Sequence, residues 1–276
     1  MKTTAEIDRQ IYELARCYLP SLNIPGVTQA LIEKYLNPHH PRPTSKDGLY
    51  LRILESAQNA HMKAGVIGKS IDGVDKLAPV LIGFNPQAVL ARYGDNWQDV
   101  LDQIEKELKP RGQIRKMPQS IWPRYCRTIL SAARFVEQFE SAGDFYNWAD
   151  FFDRDERARA SLPMLMDREI DGLGFALSCD LLIGLGYVNF PKPDVHLRHI
   201  FAALELCKQE DDDYQLFKAI IRLARHAGVT PYNADKVFWL IGSGNFYDDP
   251  LIGKRGIIGR HEKDFVQFAR SKIFED

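Results

Sequence analysis

Residues 170 to 182 read Ile170-Asp171-Gly172-Leu173-Gly174-Phe175-Ala176-Leu177-Ser178-Cys179-Asp180-Leu181-Leu182, and this stretch decides the fold. Leu173 stands between two glycines, Gly172 and Gly174, with an apolar helical pattern from Ser161 to Ile170 on one side and another from Phe175 on the other. Glycine admits positive φ, so the three residues suit a tight hairpin between two helices, with Leu173 pinned in the core. The turn then exposes consecutive backbone N–H groups at the start of the second helix. Unsatisfied donors there, with a favourable helix dipole, can hold one phosphate without reading base sequence. A tight connection in an ordinary helical bundle would use the same three residues.

Outward from the hairpin, apolar residues recur at spacings of three and four, with almost no sustained alternation, which argues an all-α chain. Trp97 to Leu108 carries Val100, Leu101, Ile104 and Leu108 on one face. Tyr214 to Ala227 presents Leu216, Phe217, Ile220, Ile221, Leu223 and Ala224, and Gly228 supplies its stop. A third helix is expected after Thr230, with Pro231 in its first turn, ending near Ile241. Between such segments lie short breakers at 37–44, 83–86, 110–112, 191–193 and 242–250, and none has the length of an interdomain linker.

With 276 residues, 45% of them hydrophobic and 26% charged, the chain can build one large core or two smaller ones, which excludes disordered and fibrous classes. No stretch approaches the roughly 18 apolar residues of a membrane helix, and the charged N-terminus lacks an apolar signal core, so a cytoplasmic protein without a membrane partner is expected. Cys17, Cys126, Cys179 and Cys207 form no CxxC pair and no cluster for zinc or iron–sulfur; they read as buried free thiols. Gly68-Lys69-Ser70 lacks the first glycine of a phosphate-binding loop, because position 63 is Lys63. Gly242-Ser243-Gly244 reads as a helix end rather than a nucleophile elbow. His196 and His199 share a helix face at spacing three, but without a nearby Cys or third His no metal site is expected.

Eighteen residues after Ala176 stands Asp194, within Phe190-Pro191-Lys192-Pro193-Asp194-Val195-His196-Leu197-Arg198-His199-Ile200, a proline-rich loop that delivers it to a helix start. Aspartate at such a position is also an ordinary helix cap. Together the two segments resemble the helix-hairpin-helix, Gly/Pro...Asp (HhH-GPD) superfamily of DNA glycosylases. The hairpin reads as that family's L-P-G-[VI]-G-x-K-x-A, and Pro193-Asp194-Val195-His196 reads as its V-D-[VT]-H. About thirty residues, Ile170 to Ile200, carry the match.

The resemblance implies a chain of two helical subdomains with the hairpin and a DNA-binding cleft between them. A central block over 65–190 would end in the hairpin, with 1–64 packing on a C-terminal lobe, 191–276, that carries the Asp loop. It implies a monomeric base-excision glycosylase acting on double-stranded DNA with a flipped-out base, nucleoid-associated if bacterial. Asp194 would be the carboxylate that stabilises an oxocarbenium-like transition state and directs the nucleophile. Gly172, Leu173 and Gly174 would contact the backbone. Gln58 and Asn59, in Leu54-Glu55-Ser56-Ala57-Gln58-Asn59, would fill the gap left by the flipped base. Ala176 and Trp122 would border the base pocket, although a tryptophan at a helix start is more readily a core residue. Residues 234–242 resemble the family's C-terminal helix.

Two departures matter. Lyase-active members carry a nucleophilic lysine where this chain has Ala176, so a monofunctional enzyme that uses water is expected, with Lys192 the conceivable displaced amine. Asp171 replaces the family's hairpin proline and sets a negative charge beside the phosphate site. The four-cysteine cluster loop of some members is absent; no cofactor is expected beyond a monovalent cation that the hairpin allows. A non-catalytic hairpin protein that only binds DNA is the alternative.

The charge pattern supports a nucleic-acid partner despite a net charge of -1. Between Lys109 and Arg134 lie Lys109, Arg111, Arg115, Lys116, Arg124, Arg127 and Arg134 with no Asp or Glu, while 151–250 holds 11 basic against 16 acidic residues. Arg111, Arg115 and Lys116 are the expected phosphate contacts, and Lys254 to Arg260 is a second basic run. The base excised is not legible in these residues.

Overall fold

The computed structural model describes residues 2–37, 40–59, 65–247 and 249–273, and among them every regular element is helical apart from two isolated β-bridges. In chain order the α-helices are α1 (Thr4–Ser21), α2 (Gln29–Leu36), α3 (Lys46–Ala57), α4 (Val66–Ile71), α5 (Pro86–Tyr93), α6 (Trp97–Leu108), α7 (Ile121–Glu137), α8 (Ala142–Arg154), α9 (Ser161–Glu169), α10 (Phe175–Gly184), α11 (Val195–Ala203), α12 (Asp213–Ala227), α13 (Pro231–Ser243) and α14 (Glu262–Ile273). Two 3-10 turns, Val74–Leu77 and Ile82–Phe84, lie between α4 and α5. Among the described residues no helix is long and apolar enough to cross a membrane.

The helices form two compact units, one made of Met1–His40 with Gly186–Asp276 and the other of Pro41–Leu185. The first break therefore falls at 40/41 rather than at 64, and the second at 185/186 rather than 190. The cause is α3, whose buried residues Leu49, Tyr50, Ile53, Leu54 and Ala57 belong to the core of the second unit. Its apolar face packs on α7.

In the Pro41–Leu185 unit, α7 is the central post: twelve of its seventeen residues are buried, and α3, α5, α6 and α9 all pack on it. Ser131, Ala132 and Ala133 keep its surface low enough for close neighbours. Two buried tyrosines brace α3 against it, Tyr50 donating to Ile129 O at 2.8 Å and Tyr125 to Leu54 O at 3.0 Å. A buried hydroxyl needs such a partner, because leaving it unpaired costs about 1–3 kcal/mol. Burial also pushes the Cys126 thiol on α7 far up, so it is an inert core group; Cys179 is likewise buried, whereas Cys17 is exposed and departs from the expected pattern.

The discontinuous unit is built on α1, which packs against α12, α13 and α14. Thr3 and Glu6 form a reciprocal capping box at its start. Asp8, fully buried on α1, binds Arg222 Nε at 3.0 Å and His226 Nδ1 at 2.6 Å on α12, tying the two chain segments together. The helix expected at 214–227 appears as α12, with Gly228 at φ 69 closing it. The helix expected after Thr230 appears as α13, with Thr230 as its cap and Pro231 in its first turn.

Candidate active site

The hairpin belongs to the Pro41–Leu185 unit. Helix α9 ends at Glu169, Leu173 is fully buried, and α10 begins at Phe175 with Gly174 as its cap. Gly172 has φ +80, and a Cβ there would lie 3.1 Å from Thr128 Oγ1, so both conformation and space call for glycine. Gly174 departs from expectation: its φ of -61 and ψ of 168 are ordinary extended backbone, and a Cβ would meet nothing within 4 Å. As the cap of α10 it offers the helix start no side-chain hydrogen bond.

Helix α7 holds the hairpin in place. Thr128 donates its hydroxyl to Asp171 O at 2.6 Å, and the Asp171 N–H donates to Ser131 Oγ at 2.9 Å. A proline at this position, as in the resembled family's pattern, would have no N–H for Ser131. The carbonyl oxygens of Ile170, Asp171 and Leu173 already accept protons from Leu173 N, Thr128 and Ser178 Oγ. Ala176 stands half-buried in the first turn of α10.

Asp194 belongs to the discontinuous unit, as the cap of α11. Its Oδ1 accepts both His196 N–H at 2.9 Å and Leu197 N–H at 3.1 Å, whereas its Oδ2 accepts no hydrogen bond among the described residues. One oxygen is structural and the other is available.

The preceding loop is clamped by the start of α13. Tyr187 and Phe190 are buried edge-to-face with centroids 5.8 Å apart. The Tyr232 N–H, an orphan donor of the first turn of α13, donates to Val188 O at 2.9 Å. Further along, Lys192 N–H donates to Asp235 Oδ2 at 2.7 Å, and Asp194 N–H donates to Lys192 O at 2.9 Å. Asp235 is 6% exposed; burial pushes its carboxyl up to about 7 against the pull of Lys236 and the Lys192 N–H, and the nearby Asp194 charge adds to the rise. Sequence reasoning missed Asp235, although an acid inside the apolar run from Ala234 to Ile241 was a visible signal.

Helices α11 and α13 also touch where a Cβ on Gly242 would come within 2.6 Å of His196 Cβ. His196 and His199 turn their Nδ1 atoms toward Glu262 on α14, at 3.9 Å from Oε2 and 3.5 Å from Oε1. Among the described residues no group of three such side chains is placed to hold a metal ion. A groove of about 430 Å³ lined by His199, Glu262 and Arg270 adjoins this pair, and Asp194 does not line it.

Other expected site residues are engaged locally. Gln58 Oε1 accepts Gly68 N–H at 3.1 Å and Asn59 Oδ1 accepts Gly65 N–H at 2.9 Å, so both amides secure the start of α4. Trp122 is 7% exposed and lies edge-to-face on Tyr125. The acid-free basic stretch is not acid-free in space: Arg111 pairs with Asp72, Arg134 with Asp95, and Lys116 with Asp102 at 3.0 Å and Glu105 at 2.6 Å. Arg115 has no ion pair among the described residues. The acids that neutralise the stretch come from earlier in the chain, from Asp72 after α4 to Glu105 within α6, which linear counting could not reveal.

No family model and no curated protein matches the chain. Solved structures do. The 8-oxoguanine glycosylase/lyase of Methanocaldococcus jannaschii, in complex with a 15mer DNA containing 8-oxoguanine, is 14% identical with a TM-score of 0.44, over 85% of this chain and 96% of that one. The 8-oxoguanine DNA glycosylase of Thermotoga maritima is 10% identical with a TM-score of 0.46, over 85% and 96%. A trapped endonuclease III–DNA covalent intermediate is 11% identical with a TM-score of 0.47, over 87% and 86%. The solved structures to which this all-α chain is similar are thus DNA glycosylases, at identities too low to speak for substrate or activity.

Proposed function

We propose that the protein is a DNA glycosylase of the base-excision type, acting on a damaged or modified base flipped out of double-stranded DNA. The observation that supports this most is the division of labour at Asp194, where Oδ1 caps α11 and Oδ2 is left for chemistry. The C1′–N bond breaks with its electron pair leaving on the base, which takes up a proton. Positive charge develops on the sugar, where an ionised carboxylate stabilises it. Water then adds to C1′ and gives its proton to Asp194, which releases it to solvent and so balances the solvent proton taken up by the departing base. The hairpin at the start of α10 and Arg115 would hold phosphates of the duplex.

Ala176 has no amine, so the reading is a monofunctional enzyme that leaves an intact abasic strand. A panel of duplexes, each with one uracil, alkylated, oxidised or enzymatically modified base, tests it. Strand breakage only after alkali is the expected result. Borohydride trapping of a protein–DNA adduct would contradict the hydrolytic mechanism and implicate a lysine such as Lys192. Salt-sensitive duplex binding without release of any base would favour the non-catalytic alternative.

A further inference from the structure

We propose that Asp235 is a positioning residue for Asp194, holding the Lys192–Asp194 turn through the Lys192 N–H. The inference rests on the glycosylase reading and adds to it a residue two helical segments away in sequence. Pro191 and Pro193 have no N–H, so Lys192 and Asp194 carry the only backbone donors between 191 and 194. That of Asp194 is used inside the turn, on Lys192 O at 2.9 Å. That of Lys192 is therefore the one backbone donor left to tie the turn to the rest of its unit, and it ends on Asp235 Oδ2 at 2.7 Å.

Two features make this tie more than incidental packing. Asp235 is an acid within a helix whose neighbours Ala234, Val237 and Phe238 are all buried, a position where a carboxyl is costly unless it has a partner. The same first turns of α13 also fix the other end of the loop, through Tyr232 N–H on Val188 O at 2.9 Å. The loop that delivers Asp194 is thus gripped at 188 and at 192 by one rigid helix. A misplacement of about 1 Å in a reacting group costs about 100-fold in rate.

The test compares wild type with Asp235→Ala, Asp235→Leu and Asp235→Asn by amide hydrogen exchange at Lys192 in DNA-free protein, duplex affinity and single-turnover base release. In Asp235→Ala and Asp235→Leu the Lys192 amide should exchange faster and release should slow about 100-fold, with duplex affinity unchanged. Asp235→Asn keeps an oxygen acceptor and should restore both. Unchanged exchange at Lys192 in the folded Ala or Leu variant overturns the proposal, as does unchanged release while Asp194→Asn is inactive. If wild type releases no base from any duplex, the glycosylase reading fails instead, and the exchange measurement still decides whether Asp235 holds the turn.

Discussion

Gly242 on α13 and His196 on α11 lie so close that a Cβ on the glycine would stand 2.6 Å from His196 Cβ. Real Cβ atoms do not approach so near, and the obstacle is the root of a side chain rather than a flexible end. Gly242→Ala must push α11 outward, and Asp194 caps that helix two residues before His196. The expected result is a stability loss of about 1–3 kcal/mol by urea unfolding, together with reduced base release. A wild-type midpoint would show that the two helices tolerate the methyl group.

Asp235 sets a pH dependence whose sign follows from its burial. Burial pushes its carboxyl in the folded protein up to about 7, from an ordinary 3.8. Between those values the folded state binds more protons than the unfolded chain, so this group's contribution to stability falls as pH rises from about 4 and levels off above about 7. Wild type should therefore lose stability relative to Asp235→Asn over that interval, by an amount on the order of a few kcal/mol. Parallel curves for the two proteins would contradict the buried, proton-retaining carboxyl.

Asp8 joins the N-terminal segment to α12 through Arg222 and His226. Removing its charge leaves both partners facing a buried neutral group. Asp8→Asn should destabilise the protein by about 2–3 kcal/mol, below the cost in a wholly buried pair because Arg222 is 32% exposed. Thermal or urea unfolding measures it, and an unchanged midpoint would mean that the junction is held by apolar contacts alone.

The cations of the basic stretch should differ in their effect on duplex binding. Arg115 is available as it stands, whereas Arg111 must leave Asp72 and Lys116 must leave Asp102 and Glu105 before meeting a phosphate. Arg115→Ala should lower the slope of log affinity against log salt by about 1, and Arg111→Ala or Lys116→Ala by less. Equal slopes for all three variants would show that the ion pairs cost nothing to open.

Local features were the legible ones. The helix at 97–108, the Gly228 stop of α12, the Thr230–Pro231 start of α13 and the buried Leu173 follow from periodicity and turn chemistry within a few residues. The features that escaped depend on distant partners. The unit boundary at 40/41 is set by packing of α3 on α7, a preference that no linker marks. The pairs Arg111–Asp72 and Arg134–Asp95 join residues 39 positions apart, and the clamp from Asp235 to Lys192 spans 43, so only the folded chain brings them together. Asp171 is the instructive middle case, since its departure from the family pattern was visible but its N–H bond to Ser131 was not.

Single-turnover base release by Asp194→Asn tests the central claim most directly. The variant keeps the cap oxygen for His196 and Leu197 and loses only the charge. Its unfolding should stay close to wild type, while release from the duplex that wild type cleaves should fall at least about 100-fold. Release at the wild-type rate would contradict the assignment of Asp194 as the group that performs the chemistry.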